Sequence, residues 1–223
     1  MKKRWELYLA GMLFLAFSLG GCGEKVHSEN AEKTFEKETA PMIVIDPGHG
    51  GEDPGKVASS GELEKDLNLQ IAQKVKEKLE AQGYAIVMTR EDDGKKNSKR
   101  EDMQMRVDLI NKKKPLLTVS IHQNSYPDSS VNGPQVFYYV DSEKGRELAQ
   151  MIQSELWEVV QSQRRQIKGN NNYYMLLHTE VPTVIVECGF LSNWEETKKL
   201  TDDFYQDLLA DAICKGIRKW LDK

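Results

Sequence analysis

The feature that most constrains the fold is an alternation of short apolar runs with longer amphipathic segments, which extends from Met42 to Leu221. The apolar runs have the length of strands, and they lie at 42–45, 84–89, 116–121, 135–140 and 183–188. The amphipathic segments predict helices at 64–82, 100–113, 143–163 and 203–221. Strands that alternate with helices of this length form βαβ units. We therefore predict a single α/β domain with a mostly parallel central sheet that is flanked by helices on both faces.

The first 22 residues have the pattern of a secretory signal. Lys2, Lys3 and Arg4 precede a short apolar run, and the run ends at Leu19-Gly20-Gly21-Cys22, which resembles a bacterial lipobox. The run is short for a membrane-spanning helix, which needs about 20 residues. We expect lipidation at Cys22, and the alternatives are an uncut signal anchor and ordinary cleavage. All three place the rest of the chain outside the cytoplasmic membrane.

The segment 23–40 is polar and rich in Glu, Lys, Ser and Thr, so it cannot bury a core. We predict that this segment is a tether and that residues 41–223 form the folded domain. The formal net charge of the chain is −4, and its sequence contains no nucleic-acid-binding motif. We therefore expect no nucleic-acid partner.

Polar side chains stand where three of the predicted strands end. His49 and His122 follow the first and third strands, and Glu187 lies near the end of the last strand. Glu64 lies in the first turn of the helix that follows the first strand. Ligands of open α/β sheets bind beyond the carboxyl ends of the strands. We expect these four residues, which are far apart in sequence, to meet at one edge of the sheet.

Two imidazoles and a carboxylate with an open fourth position form the donor set of a catalytic zinc site. A further carboxylate is then needed to take a proton from water and to deliver it to a leaving nitrogen. We assign this role to Glu187, because a carboxylate after the apolar run Val184–Val186 is unfavourable to bury unless it is paired or functional. Acidic residues are also common at helix starts because of the helix dipole, so Glu62 and Asp66 stay open as alternatives to Glu64.

Two other functional interpretations, a phosphate-binding loop and a cysteine nucleophile, fit these motifs less well. The glycine-rich turn around His49 is not followed by the Lys-Ser/Thr pair of a phosphate-binding loop. Cys188 is a poor candidate for a nucleophile, because it neighbours Glu187 on a strand and the two side chains face opposite ways. Cys188 and Cys214 are most simply small buried hydrophobic residues, and a disulfide between them is the alternative. Asp46 either supports His49 through a hydrogen bond or belongs to an ordinary Asp-Pro-Gly turn.

Taken together, the motifs resemble those of the zinc-dependent N-acetylmuramoyl-L-alanine amidases of the amidase type 3 family. The matching segments occur in order and at family-like spacing, and they are Ile45-Asp46-Pro47-Gly48-His49-Gly50-Gly51, Leu63-Glu64-Lys65-Asp66-Leu67-Asn68-Leu69, Met88-Thr89-Arg90, Arg106 with Asn111, Ser120-Ile121-His122-Gln123-Asn124 and Val186-Glu187-Cys188-Gly189-Phe190-Leu191-Ser192-Asn193. The resemblance extends from about Met42 to Leu221, and it implies a sheet of about six strands.

The resemblance also implies a set of site residues. It implies one zinc ion per chain, held by His49, Glu64 and His122, with Glu187 as the catalytic carboxylate. It selects Glu64 over Glu62, because Glu64 precedes Lys65 as in the family motif. We expect a second group of motif residues to contact the substrate or to support the metal ligands, namely Asp46, Arg90, Arg106 and Asn124.

The implied reaction is hydrolysis of the amide bond between N-acetylmuramic acid and L-alanine in bacterial peptidoglycan. A minimal catalytic domain on a membrane tether is similar to the sporulation and germination subgroup, so we expect a role in the spore cortex, with general autolysis or cell separation as the runner-up. The expected location is extracytoplasmic, at the cell membrane or in the spore envelope, where an activator protein is a further partner to consider. The alternatives are a zinc peptidase that cuts within the stem peptide and a non-catalytic lipoprotein that binds wall material.

Overall fold

The computed structural model describes residues 40–93 and 98–223 of the chain. The predicted signal segment 1–22, with Cys22, and nearly all of the predicted tether 23–40 lie outside the described residues. Among the described residues, no helix has the length and apolar character that a membrane span requires.

Strands and helices alternate along the described part of the chain, with two exceptions. The strands are β1 (Met42–Pro47), β2 (Ala85–Met88), β3 (Leu117–Asn124), β4 (Gln135–Tyr139), β5 (Lys168–Asn170) and β6 (Thr183–Phe190). The helices are α1 (Glu64–Glu80), α2 (Lys99–Lys113), α3 (Glu143–Val159), α4 (Tyr174–His178), α5 (Trp194–Leu200) and α6 (Asp203–Leu221). The exceptions are that β4 follows β3 directly and that α6 follows α5 directly. Every predicted strand and helix is confirmed, with ends that differ by a few residues.

The strands form a six-stranded sheet in the order β2-β1-β3-β6-β4-β5. All neighbouring pairs are parallel except β4 and β6, which run antiparallel. The predicted mostly parallel sheet is therefore confirmed. Because β1, β3 and β6 are adjacent and parallel, their carboxyl ends lie side by side, and His122 pairs in register with Glu187.

Helices cover both faces of the sheet. Successive residues of a strand point to opposite faces, so Ile43 and Ile45 of β1 pack into one core and Val44 packs into the other. Side chains of α1, α3 and α6 complete the first core, and side chains of α2 and α4 complete the second. Since the central strands are buried on both faces, most of their residues are apolar. β3 also carries two buried hydroxyl residues within the strand, Thr118 and Ser120.

The two cysteines in the described residues are free and buried, so the disulfide alternative is wrong. The thiol of Cys188 lies 3.9 Å from the carbonyl oxygen of Val186, and the thiol of Cys214 lies 3.7 Å from that of Val75. Burial raises the pKa of the Cys188 thiol far above its ordinary value, so the thiolate needed for nucleophilic attack is scarce. Both cysteines serve as small hydrophobic residues, as predicted.

Three short elements were not predicted, and they are β5, α4 and α5. β5 has only three residues, too few to show an alternation of polar and apolar side chains, and it is held by backbone pairing with β4. α4 has five residues and α5 has seven, so neither is long enough to show a clear helical period. β3 is also longer than predicted, and His122 therefore lies within this strand rather than after it.

Glu196 joins the end of β6 to the turn that precedes β4. Its buried carboxylate accepts hydrogen bonds from the backbone N–H of Gly133, at 2.9 and 3.0 Å from its two oxygens, and from that of Phe190 at 2.8 Å. Gly133 has a φ of 94°, and a Cβ at this position would lie 2.2 Å from the carbonyl oxygen of Gln163. The turn thus depends on the glycine for its shape and on Glu196 for its hydrogen bonds.

We expect Glu196→Ala to destabilise the protein, because it leaves two buried N–H groups without an acceptor. The expected loss is about 3 kcal/mol, or roughly 5–10 °C in Tm, measured by thermal unfolding. Glu195→Ala is the matched control, since the neighbouring carboxylate is exposed and pairs with Lys198 across 3.3 Å at the surface. Equal Tm values for the two variants would contradict this account of Glu196.

Candidate metal centre

The turn after β1 has an unusual backbone. His49 has a φ of 61°, in the left-handed region that non-glycine residues rarely adopt, and Gly50 and Gly51 follow with φ values of 133° and 57°. Gly48 stands directly against the ring of His122, because a Cβ at Gly48 would lie 2.1 Å from the Cε1 and Nε2 atoms of that ring. The glycine therefore allows the turn to approach β3 closely enough for the two histidines to meet.

Two buried arginines hold this turn by its carbonyl oxygens. Arg90 donates to the carbonyls of Pro47 and Gly48, each at 3.1 Å. Arg106 donates to the carbonyl of Pro47 at 2.5 Å and to that of His49. Three consecutive carbonyl groups are thus bound by guanidinium groups, and these charge-assisted hydrogen bonds offset the strain of the left-handed residue.

Asp46 is the buried counter-ion of Arg106, with 3.0 Å between its Oδ1 atom and the Nη1 atom of Arg106. It also accepts hydrogen bonds from the hydroxyls of Ser120 and Thr89, each at 2.6 Å. Burial by itself would raise the pKa of Asp46, but Arg106 and the two hydroxyls outweigh it and hold the pKa below its ordinary value. The prediction that Asp46 supports the His49 ring is wrong, because Asp53 makes that hydrogen bond.

His49, Glu64 and His122 converge at the carboxyl ends of β1 and β3. The Oε1 atom of Glu64 lies 3.2 Å from the Nε2 atom of His49 and 2.9 Å from the Nδ1 atom of His122. One ligand atom from each residue lies within 4.8 Å of the others, and the two imidazole rings meet edge to face with their centroids 4.9 Å apart. These nitrogen and oxygen donors suit a divalent transition-metal ion, so the residues present fit a metal site.

Glu64 is fixed on both sides by backbone groups. Its Oε2 atom accepts the N–H of Lys56 at 2.8 Å, and its Oε1 atom accepts the N–H of Gln123 at 3.1 Å. Burial would raise the pKa of Glu64, but hydrogen bonds with the two histidines outweigh it and hold the pKa far below its ordinary value, so the carboxylate stays ionised. Glu62 and Asp66 lie outside the cluster of possible ligands in the described residues.

Asp53 is a site residue that the sequence analysis missed. Its Oδ2 atom lies 2.8 Å from the Nδ1 atom of His49, and its Oδ1 atom accepts the N–H of Gly55 at 3.1 Å. Backbone hydrogen bonds of 3.0 and 3.1 Å also pair Asp53 with Gly50. Metal-bound histidines commonly donate their second ring N–H to a carboxylate, which fixes the ring and its tautomer. The sequence signal was an acid four residues after His49 in the same turn.

Glu187 lies on β6 beside His122 and faces the same cleft. Burial raises its pKa from an ordinary 4.5 to about 7, with a further upward contribution from Glu64 and opposing effects of His122 and His49. Its Oε2 atom is buried without a hydrogen-bond partner among the described residues. A buried carboxyl group with a pKa near neutrality is suited to both accepting and releasing a proton.

The cleft that contains these groups has a volume of about 440 Å³. Of the predicted supporting residues, Asp46, Arg106 and Asn124 line the cleft. The Arg90 side chain donates hydrogen bonds to four backbone carbonyl groups at 2.7–3.1 Å. It therefore supports the turn rather than contacting a ligand. His178 is exposed, and its ring packs on Tyr174 with the centroids 4.2 Å apart, away from the metal cluster.

Known proteins are similar to this chain in sequence over most of its length. The family described as N-acetylmuramoyl-L-alanine amidase matches residues 43–219. The germination-specific N-acetylmuramoyl-L-alanine amidase of Bacillus subtilis (strain 168) is 34% identical to this chain, and the alignment covers 98% of this chain and 95% of that protein.

Two solved structures are similar in fold and in sequence. The CwlD amidase from Clostridioides difficile in complex with the GerS lipoprotein superposes with a TM-score of 0.78 at 38% identity, over 82% of this chain and 98% of that chain. The N-acetylmuramoyl-L-alanine amidase from Clostridium difficile 630 gives a TM-score of 0.77 at 35% identity, over 83% of this chain and 98% of that chain.

We expect Glu187→Gln to stabilise the metal-free protein in a pH-dependent way. Because burial raises the pKa of Glu187 to about 7, the folded protein binds this proton more tightly than the unfolded chain does. The wild-type protein therefore loses stability as the pH rises from about 4.5 to 7, and glutamine does not titrate. The gain in free energy of unfolding should grow to about 3 kcal/mol near pH 7 and then level off.

This prediction is checked by denaturant unfolding in the presence of a chelator, at intervals between pH 4 and 9. Glu195→Gln, at an exposed position, is the control and should give no such curve. A stability difference between wild type and Glu187→Gln that does not change with pH would contradict the assignment of the raised pKa to Glu187.

Proposed function

This chain belongs to the N-acetylmuramoyl-L-alanine amidase family, and from that premise we propose that it is a zinc-dependent hydrolase of the amide bond between N-acetylmuramic acid and L-alanine in peptidoglycan. The observation that carries the proposal is the convergence of two histidines and a glutamate beside the buried Glu187. Together these residues provide the metal donors and the proton carrier that amide hydrolysis requires.

We assign one zinc ion to His49, Glu64 and His122. Among the described residues, no fourth His, Cys, Asp or Glu joins this cluster, and three protein ligands with an open position are typical of catalytic rather than structural zinc sites. When bound, zinc supplies Lewis-acid chemistry that polarises a carbonyl oxygen and lowers the pKa of water. Asp53 directs the Nε2 atom of His49 towards the metal position by holding its Nδ1 atom.

Glu187 is the proposed proton carrier. It takes a proton from the attacking water, whose oxygen forms a bond with the lactyl carbonyl carbon. It then gives a proton to the alanine nitrogen, which leaves as an amine when the amide C–N bond breaks. The raised pKa suits this exchange, because the carboxylate is a stronger base than an ordinary glutamate and the acid form still releases its proton near neutral pH.

We propose a role in the spore cortex as the biological setting. The similarity to a germination-specific amidase over almost the whole chain supports this role, and general autolysis is the alternative. Expression in a Bacillus subtilis strain that lacks the germination-specific relative would separate the two. Restored germination with muramic lactam in the cortex supports the spore role, and failure with an active enzyme favours autolysis.

We further propose an extracytoplasmic location with attachment to the membrane through Cys22 or an uncut signal anchor. The evidence for this attachment is the lipobox-like sequence at 19–22. An activator protein is consistent with the similar CwlD amidase, whose structure is a complex with the GerS lipoprotein. The peptidase and wall-binding alternatives have no observation in their favour, since every residue needed for the amidase is retained.

The test of the proposed activity is digestion of peptidoglycan by the full-length chain with added zinc, followed by mass spectrometry. We expect free stem peptides that begin with L-alanine and glycan without peptides. Glu187→Gln should keep stoichiometric zinc and lose roughly 10²–10⁴-fold in turnover. His49→Ala, Glu64→Ala and His122→Ala should lose zinc. Fragments cut within the stem peptide, or full activity in Glu187→Gln, would refute the proposal.

We expect Asp53→Asn to weaken zinc affinity by about 10–100-fold while the fold is retained, because a neutral amide holds the His49 ring less firmly than a carboxylate does. Zinc affinity is measured by competition with a chromophoric chelator, which does not depend on turnover. Glu52→Gln is the matched control, since the adjacent side chain is exposed and does not line the cleft. Unchanged zinc affinity in Asp53→Asn would show that Asp53 does not support the metal site.

A further inference from the structure

A second cavity, of about 490 Å³, adjoins the metal cleft, and Ser125 lines both. Two loops and the segment after β6 form its walls and floor. Apart from Ser125, its lining residues are Lys56, Val57, Ser59, Tyr126, Pro127, Ser129, Leu191 and Ser192. We call this cavity the side groove.

The walls of the side groove are held by hydrogen bonds. In the first loop, the N–H of Ala58 donates to the carbonyl of Glu62 at 2.9 Å, and the N–H of Glu64 donates to that of Lys56 at 2.9 Å. In the second loop, the N–H of Tyr126 donates to the hydroxyl of Ser192 at 3.0 Å. Because the first loop leads directly into Glu64, the groove has a fixed position beside the metal ligands.

The surface of the side groove consists mainly of apolar side chains and side-chain hydroxyl groups, with a single lysine among the described lining residues. Tyr126 is 55% exposed in one loop and Val57 is 46% exposed in the other. Four serines line the groove, and Lys56 is the one charged residue among its described lining residues. A sugar ring presents C–H faces and neutral hydroxyl and amide groups, so an exposed aromatic face with neighbouring hydroxyls is complementary to it.

The metal cleft differs from the side groove in charge, because α2 contributes charged residues to its lining. Lys99 is exposed and Asp102 is half-buried, so these two residues supply charges of opposite sign there. Asp102 also pairs with the buried Arg106 at 2.7 Å. The substrate has two arms that meet at the scissile amide, and they differ in the same way. The peptide arm carries carboxylate and ammonium groups, whereas the glycan arm near the amide is largely neutral. Charge complementarity therefore distinguishes the two directions out of the metal centre.

We propose that the side groove binds the glycan strand of peptidoglycan, with a sugar ring on Tyr126, and that the stem peptide extends from the metal centre towards α2. The inference rests on the proposed function for the identity of the ligand. It adds a direction of substrate binding and names Tyr126 and Val57 as residues that determine recognition of the glycan.

The test measures binding rather than hydrolysis, with the full-length chain. The probes are a peptide-free tetrasaccharide of alternating N-acetylglucosamine and N-acetylmuramic acid, and a free stem tripeptide, each titrated by calorimetry or by NMR. We expect Tyr126→Ala to weaken tetrasaccharide binding about tenfold and to leave tripeptide binding unchanged. Val57→Glu, in the other loop, should have the same effect, because it replaces apolar surface of the groove with a charged group.

Phe204→Ala is the control, because Phe204 is 69% exposed at the start of α6 and lines neither cavity. It should bind both probes as the wild type does. The proposal is overturned if the wild type does not bind the tetrasaccharide, if both groove variants bind it normally, or if they lose the tripeptide instead. These readouts need no turnover, so an inactive enzyme that binds the tetrasaccharide through Tyr126 contradicts the proposed reaction and leaves the groove assignment intact.

Discussion

The binding of three consecutive carbonyl groups by two buried guanidinium groups is the interaction on which the rest of the site depends. Arg90 and Arg106 reach the turn after β1 from different elements and hold it in a shape that includes a left-handed histidine. Asp46 neutralises Arg106 beneath the turn, so the buried charge is paired. The arginines fix the backbone of the turn, and Asp53 then fixes the direction of the His49 side chain through its ring nitrogen.

The two carboxylates of the cleft show how environment separates their roles. Glu64 receives hydrogen bonds from backbone N–H groups and lies against two imidazoles, which keep it ionised despite burial. Glu187 is equally buried, but its environment gives one of its oxygens no hydrogen bond, and its pKa rises instead. Similar groups with pKa values displaced in opposite directions are suited to different roles, and we propose a metal ligand for Glu64 and a proton carrier for Glu187.

Two surfaces of different chemical character extend from the metal centre at this edge of the sheet. The loops beside β3 and β6 present hydroxyls and apolar surface, and α2 presents charges. Both surfaces are formed by the connections of a parallel sheet, since these loops gather at the carboxyl ends of the strands. In our proposal, a substrate with a neutral arm and a charged arm is bound in one orientation by the same topology that brings the four site residues together.

The sequence by itself determined the α/β class, the order of the long elements, and the placement of His49, His122 and Glu187 at one edge of the sheet. These features follow from local periodicity and from the rule that strand ends gather at one edge. The choice of Glu64 over Glu62 came from the resemblance of the motif to the amidase family. Tertiary structure alone decided which acid holds His49, because Asp46 and Asp53 are both near it in sequence. Their roles separate only when Arg106, 60 residues further along the chain, binds Asp46. The short elements β5, α4 and α5 were decided in the same way, because residues that contact them from distant segments stabilise them and their own sequences are too short to carry a period.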